Sequence, residues 1–414
     1  MKQKYLPKRS IFIHSEKPSE TNNAITIDLS SSEKVAQLKQ KIINKKQSSV
    51  SSGLLFNTRS GTAGVDQLTT VGLSVEATLV PSFNHLLRIG ANFLQLDTGT
   101  LSSENRTQFG SGQTQKGEFH IESLSAVVPF VEYRYDTDNY FIETGIGSTP
   151  ISNEIDTSAL TWFMKGGISL APLNISLKTS REAINETMLS YIGAKDPVDG
   201  TVWGRSMKTG YEVALNHQSD WTTSLTFNYY PKIEGINTIS NKETKASFFI
   251  GKNLINNDQE TFLLGPLVVY DSYTHSTNHF TMGNGGYFSP TSFLLTGLYG
   301  DYTNIYNNNS FLKIKGNVAL LNFTESSAPY FPLSSDPGET YLSTSQSGLG
   351  INIKALGGYK INQNLHALGM VGFSKAPQYN SLFTGVTLLY YFDKNKEMTP
   401  NDYMRAYQAR ETFK

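Results

Sequence analysis

The sequence has no cysteine, which excludes disulfide staples, thiolate metal sites and thiol nucleophiles. It also lacks a charge excess, since 35 lysines and arginines balance 35 aspartates and glutamates. A nucleic-acid binder needs a basic surplus to neutralise phosphates, so no nucleic-acid partner is expected. No apolar run approaches the roughly 20 residues of a membrane-spanning helix. Helical membrane proteins are thereby removed and barrels are left standing. What the chain does have is rings: 22 tyrosines and 23 phenylalanines in 414 residues, on a mean hydropathy of only -0.31.

The two ends differ from the middle. Residues 1–32 scatter lysine, serine and proline without a sustained apolar period and predict a flexible leader. No signal peptide is visible there, because the apolar core of 7–15 residues is missing, so an exported protein would need its export start elsewhere. Val35, Leu38 and Ile42 recur at three- and four-residue steps and predict a short amphipathic helix over 33–45. The expected organisation is a leader and helix over 1–50, a β-domain over 51–393 and a tail over 394–414.

Between Ser51 and Asp393 the period is two. In 160–170 one parity holds Leu160, Trp162, Met164, Ile168 and Leu170, while Thr161, Phe163, Lys165 and Ser169 hold the other. Leu312, Ile314, Val318 and Leu320 alternate with Lys313, Lys315, Asn317 and Ala319. Val71, Leu73, Val75, Ala77 and Leu79 alternate with Gly72, Ser74, Glu76 and Thr78. Residues of one parity share a sheet face. Soluble sandwiches alternate too, but their strands average about 5–6 residues, and these segments run to about twice that. About sixteen segments follow one another, beginning near Ser51, Leu68, His85, Phe119, Tyr140, Ala159, Leu173, Thr201, Trp221, Lys242, Glu260, Ser292, Ser310, Thr340, Leu365 and Ser381. Connections after even segments are short and built from turn formers, as in 81–84, 136–139, 218–220, 307–309 and 362–364. Those after odd segments are mostly long, including 98–118, 182–200, 276–291 and 325–339. That sorting matches outer-membrane barrels, with short periplasmic turns and long extracellular loops. The predicted fold class is all-β: a transmembrane antiparallel β-barrel of about sixteen strands in the outer membrane of a Gram-negative bacterium, with outer-membrane lipid around it.

Such a barrel leaves an aqueous lumen, and the polar parity would line it: Glu76, Arg88, Glu132, Arg134, Lys165, Lys313 and Lys315. Both signs are present, which favours a neutral, hydrated passenger. Tyr133, Tyr135, Trp162, Tyr229, Tyr390 and Phe392 share the apolar parity and suit interfacial girdles. Phe163, Tyr230 and Tyr391 share the polar parity, where a ring has an apolar face to offer a sugar. For each lumen residue an ordinary solvated or girdle role competes with contact to a passenger. The closing run 385–392, Gly-Val-Thr-Leu-Leu-Tyr-Tyr-Phe, resembles an outer-membrane assembly signal. In the tail beyond it, Thr399-Pro400-Asn401-Asp402 looks like a helix start, with Tyr403 and Tyr407 on one face, and a lumen plug, a tether or a frayed end are all open.

Four segments then stand out together: Phe280–Pro290 (FTMGNGGYFSP), Leu189–Gly204 (LSYIGAKDPVDGTVWG), Asn57–Thr69 (NTRSGTAGVDQLT) and Ala328–Pro332 (APYFP). In order and spacing they resemble the C-terminal barrel domain of the cellulose synthase operon protein C family, over roughly 36–414. The resemblance implies a sixteen-stranded outer-membrane barrel that exports a β-1,4-glucan polymer made at the inner membrane. It also implies a periplasmic tetratricopeptide scaffold, or the inner-membrane cellulose synthase complex, as partner. With only about fifty residues ahead of the barrel and a single repeat needing 34, that scaffold would be a separate protein or lost with a split gene. It singles out a first motif loop of Phe280, Gly283, Gly285, Gly286, Tyr287, Phe288, Ser289 and Pro290. The second motif loop is Asp196, Pro197, Gly200, Trp203 and Gly204. Asn284 and Thr291 depart from the family pattern, which has histidine and glutamine there.

No catalytic residue, cofactor or metal is expected. His85, His120, His217, His275, His279 and His366 lie in the barrel outside any nucleophile motif, and Ser289 suits a turn. His275 and His279 have a spacing suited to a metal on a helix but fall on a strand end and loop. An outer-membrane hydrolase and a soluble β-sandwich adhesin are therefore weaker expectations than a passive conduit. The closest competitor is a general diffusion porin for small solutes.

Overall fold

The computed structural model describes residues 47–114, 117–306, 309–377 and 379–393. The leader, the helix expected over 33–45 and the tail with Tyr403 and Tyr407 lie outside the described residues. Sixteen long strands follow one another. They are β1 (Ser49–Arg59), β2 (Leu68–Leu79), β3 (His85–Asp97), β4 (Ser123–Asp136), β5 (Tyr140–Ser148) and β6 (Leu160–Leu170). Then come β7 (Leu173–Ala183), β8 (Val202–Gln218), β9 (Trp221–Ile236), β10 (Asn241–Asn256) and β11 (Glu260–Tyr273). The series ends with β12 (Ser292–Tyr306), β13 (Ser310–Glu325), β14 (Thr344–Lys360), β15 (Leu365–Ala376) and β16 (Tyr379–Tyr391). Each pairs antiparallel with the next, and β1 closes on β16 in unbroken register from Ser49–Tyr391 to Arg59–Ser381.

All sixteen expected segments are strands. The largest displacements are at β4, expected from Phe119 and starting at Ser123, and at β14, expected from Thr340 and starting at Thr344. In the second case Thr340–Tyr341 does pair, with Ala328–Pro329, but as part of the loop. Strand lengths run from 9 to 17 residues. Even strands end in tight turns. Asn257 Oδ1 accepts from the amides of Gln259 and Glu260, and Asn362 Oδ1 accepts from those of Asn364 and Leu365. These side chains mimic a backbone turn, so little chain is needed to reverse direction. Odd strands feed the long loops, except after β9 and β15.

Parity sets the walls. Leu54, Leu73, Val386 and Leu388 are 64%, 40%, 58% and 50% exposed, whereas their strand neighbours Leu55, Ser74 and Thr387 are buried. This outward band of Leu, Ile, Val and Phe meets acyl chains, and closure leaves no unpaired edge in hydrocarbon. A sixteen-strand ring, with strands about 4.8 Å apart and tilted about 40°, measures about 32 Å across its backbone. Inward glycines make room for inward rings. A Cβ at Gly145 would lie 2.4 Å from the Phe163 ring, and one at Gly167 would lie 2.3 Å from that of Phe141.

Candidate functional site: the lumen and its dome

Inward positions of β2–β14 carry charges that are mostly paired. Arg88 grips Glu76 with two bonds, Nε to Oε1 at 3.0 Å and Nη2 to Oε2 at 2.8 Å, and also donates to Glu132. Arg134 pairs with Glu143 at 2.9 Å, Lys208 with Glu243 at 3.4 Å and Lys245 with Asp271 at 3.3 Å. Lys178 pairs with Glu182, and Lys313 with Asp301. Lys165 lies 3.9 Å from Glu212, while Lys315 stands between Asp301 and Lys354 in the strand register. Several cations also lie over inward rings, Arg134 4.4 Å from Phe141, Lys208 4.4 Å from Tyr230 and Lys178 5.9 Å from Phe163. The lining is thus a fabric of paired charges and rings.

The wall around the seam differs. Inward positions of β1, β15 and β16 include Leu55, Leu368, Met370, Phe383, Leu389 and Tyr391, which form one apolar cluster with Phe311 and Leu356 of β13 and β14, with Leu68, Leu94, Leu96 and Leu124 of β2–β4, and with Met188, Tyr191 and Ile192 of the loop packed on them. The expectation that the lumen face is the polar parity is therefore right for most of the ring and incomplete here. Tyr391 does face inward, as expected, and packs edge-on against His366. Of the expected lumen residues, Phe163, Lys165, Tyr230, Lys313, Lys315 and Tyr391 all take inward positions, spread around the circumference rather than gathered at one point.

The long loops gather over one end. Phe109–Gly110, after β3, pairs in parallel with Phe280–Thr281, after β11. β3 and β11 are diametrically opposed in a ring of sixteen, so these loops meet only by crossing the mouth. Phe109, Trp203, Leu189, Ala194, Val65, Leu101 and Phe280 make a shared core beneath. Thr187 caps a single helical turn, α1 (Met188–Tyr191), and its hydroxyl donates to the Gly286 carbonyl at 2.7 Å. Asp196 is fully buried. Its Oδ1 accepts from the Ser111 amide at 2.6 Å and its Oδ2 from Val198 and Asp199 amides at 3.0 and 3.1 Å. Glu186 ties three elements, accepting from the Phe288 amide at 2.9 Å and lying 3.4 Å from Arg59 Nη1 at the C-terminal end of β1.

Both motif loops lie in this dome. Gly283 and Gly286 have φ of 98° and 65°, which a side chain rarely tolerates, and a Cβ at Gly286 would meet Leu189 at 2.6 Å. Gly204, at φ 92°, packs on the Leu189 carbonyl, while Gly200 and Pro197 shape the turn that Asp196 clamps. Tyr287 and Phe280 are buried, Phe288 packs edge-on against Phe323, and the Ser289 hydroxyl accepts from the Thr277 amide. The Ser289 hydroxyl is thus engaged within the loop, also donating to the Tyr287 carbonyl. Gly285 accommodates the Tyr287 ring and Pro290 accepts from Tyr273, where the loop rejoins the wall. Ala328–Pro332 contributes Tyr330, stacked on Tyr341 at 4.0 Å, which in turn stacks on His279 at 3.7 Å. Burial lowers the His279 pKa to about 4, so the ring is neutral at pH 7.

Residues 66–393 match the model of the cellulose synthase operon protein C C-terminus. The chain belongs to that family. It is 23% identical over 365 residues to cellulose synthase operon protein C of Pseudomonas fluorescens (strain SBW25), covering 85% of this chain and 27% of that protein. It is 24% identical to cellulose synthase 2 operon protein C of Komagataeibacter xylinus, covering 80% of this chain and 26% of the relative. The chain thus spans about a quarter of the length of the curated relatives it matches. Among solved structures, a bacterial polysaccharide outer membrane secretin superposes with a TM-score of 0.54 at 8% identity, over 84% of this chain and 99% of that one. This likeness fixes the fold as an outer-membrane barrel.

Sequence reasoning found the loops but missed what joins them. Glu186, Phe109 and Thr187 carried no motif, and their partners lie 85 or more positions away in several cases. Only Thr187 had a local sign, a hydroxyl residue ahead of a short apolar run.

Proposed function

We propose that the barrel is a passive conduit that carries cellulose, or a related β-glucan, outward across the outer membrane, driven by polymer synthesis at the inner membrane. The two-walled lumen carries this reading. A β-1,4-glucan is a ribbon with apolar C–H faces and hydroxyl edges. Phe163, half-buried on the lumen wall, suits the faces as it stands; the seam wall, Tyr230 and Tyr391 are buried at rest and would suit them once uncovered, and the paired charges near Lys165, Lys313 and Lys315 suit the edges. Because those charges already hold partners, each contact with sugar stays weak enough to break as the chain advances. Family membership supports the same substrate class, and supports an inner-membrane synthase complex with a tetratricopeptide scaffold as the partner. No hydrolysis is involved. The dome, with both motif loops, would gate the exit.

The test is passage of cello-oligosaccharides from loaded proteoliposomes. Release above that from protein-free vesicles is expected, growing once the dome is loosened. Equal release from both ends the proposal. A diffusion porin would instead pass disaccharides and reject longer oligomers whatever the state of the dome.

A further inference from the structure

The outer surface holds a charged site that the export path does not use. Down the outward faces of β6–β9, Met164, Leu177 and Phe227 present hydrocarbon. Toward the dome, Tyr211 and Tyr229 stand directly opposite one another and are 60% and 38% exposed. Rings of this kind sit at the membrane–water boundary. One register step further, about 7 Å along the strand, the outward positions become Arg181, Thr209 and Lys232 on β7, β8 and β9, with Trp162 of β6 opposite Arg181. Exposed Lys242 extends the row onto β10.

A fifth basic or aromatic position joins through strain. Arg205 lies at a bulge in β8, where the register against β9 shifts between Gly204 and Met207. Its φ is 47°, in the left-handed region that side chains disfavour. Bulges re-aim side chains, and here the guanidinium is half-buried, with Arg181 across the β7–β8 pairing and Glu234 on β9 as the charges that act on it. Glu234 attracts Arg205 but is itself paired with Lys232 at 2.9 Å. Arg205 Nε is buried with no hydrogen-bond partner among the described residues. A strained backbone at the end of a register row that sets Arg181 and Lys232 on either side of Thr209, with one acid among three cations, is an arrangement that an anion would satisfy.

We propose that Arg181 and Arg205, flanked by Lys232 and Lys242, bind the phosphate groups of a phosphorylated glycolipid in the outer leaflet. The dome places this rim outside the cell, and the Tyr211–Tyr229 pair places the cations at headgroup height. In that leaflet the headgroups are the phosphorylated sugars of lipopolysaccharide. Guanidinium groups suit phosphate because their forked donors engage two oxygens at once, and the tyrosines and Trp162 would pack on the lipid's sugar and upper acyl carbons.

The experiment uses the full chain in non-ionic detergent, with bound lipid counted by native mass spectrometry. The probes are bis-phosphorylated lipid A, the same lipid with its phosphates removed, and inorganic phosphate as competitor. Bis-phosphorylated lipid A is expected to be held at least about tenfold more tightly than the dephosphorylated form, since each charged hydrogen bond to phosphate is worth roughly that factor. Arg181→Ser is expected to remove most of this preference, Arg181→Lys to keep part of it, and Arg205→Ser to act in the same direction. Arg181 occupies a regular strand position, so its variant keeps the proposal testable if Arg205→Ser does not fold, with heat-modifiable migration as the folding check. Sugar passage by Arg181→Ser is expected to match wild type, which separates this site from the export reading. Equal binding of both lipids, or an unchanged preference in folded Arg181→Ser, overturns the proposal. Displacement of the lipid by equimolar inorganic phosphate would assign the site to the free ion and overturn it too.

Discussion

Removing one carboxylate should loosen the dome. Glu186 Oε2 accepts from the Phe288 amide at 2.9 Å and faces Arg59 Nη1 at 3.4 Å, so the β7–β8 loop, the glycine-rich loop and the C-terminal end of β1 converge on one oxygen. Glu186→Ala deletes both interactions and leaves the bond from Arg59 to the Glu186 carbonyl, at 3.0 Å, in place. A hydrogen bond to a charged acceptor is worth about 1.5–3 kcal/mol. The ion pair, with side chains 16% and 33% exposed, adds little after solvent screening, at most about 1 kcal/mol. A net loss of about 2–3 kcal/mol would raise the population of a loosened dome about 30- to 150-fold. Single-channel recording in planar bilayers measures this as dwell time in the high-conductance state. Glu186→Gln, which still presents an oxygen to the Phe288 amide, is expected to fall between wild type and Glu186→Ala. If folded Glu186→Ala shows the same high-conductance dwell as wild type, the loops are not held by this carboxylate and the reasoning fails.

Acid should act on the same dome through His279. Its folded pKa is depressed to about 4 by burial, while an exposed imidazole titrates near 6.5. The released loop therefore takes up a proton that the packed loop refuses, so His279's contribution is full above pH about 6.5 and declines as pH falls toward 4, by about 3 kcal/mol at most. Conductance is expected to rise over that window, and His279→Gln to flatten the rise. In the lumen, Arg88→Met strands Glu76 and Glu132 without their shared cation. Breaking a buried pair from one side costs about 3–5 kcal/mol. A lower temperature for the heat-modifiable shift is expected, with partial recovery when Glu76→Gln is added, and an unchanged shift temperature would count against the pairing.

Much of this molecule is legible without coordinates because a two-faced wall imposes period two over every strand. Turn chemistry is local as well, so Asn362 announces its own reversal. The seam wall was less legible. In β15 and β16, Leu368, Met370, Phe383 and Leu389 place apolar groups on the inward parity beside outward Val371, Phe373, Leu382 and Leu388, so alternation there no longer distinguishes inside from outside. The dome was hardest. Phe109 meets Phe280, and Asp196 meets Ser111, across spans of sequence that no periodicity connects. Glycines 283, 286 and 204 marked where backbone had to bend, but a glycine says nothing of the partner it approaches. The row formed by Arg181, Arg205 and Lys232 was invisible for a similar reason: those residues are far apart until β7, β8 and β9 bring them abreast.

The seam has one more implication. Ser49 pairs with Tyr391, so an even number of passes returns the polypeptide to the rim from which it set out, opposite the dome. Any module fused to either side of the cylinder is thereby delivered to a single compartment, next to the doorway through which a nascent polysaccharide would be threaded. Under the proposed export reading, two anchorage points beside one entrance would allow a transport apparatus to be docked without obstructing the far exit.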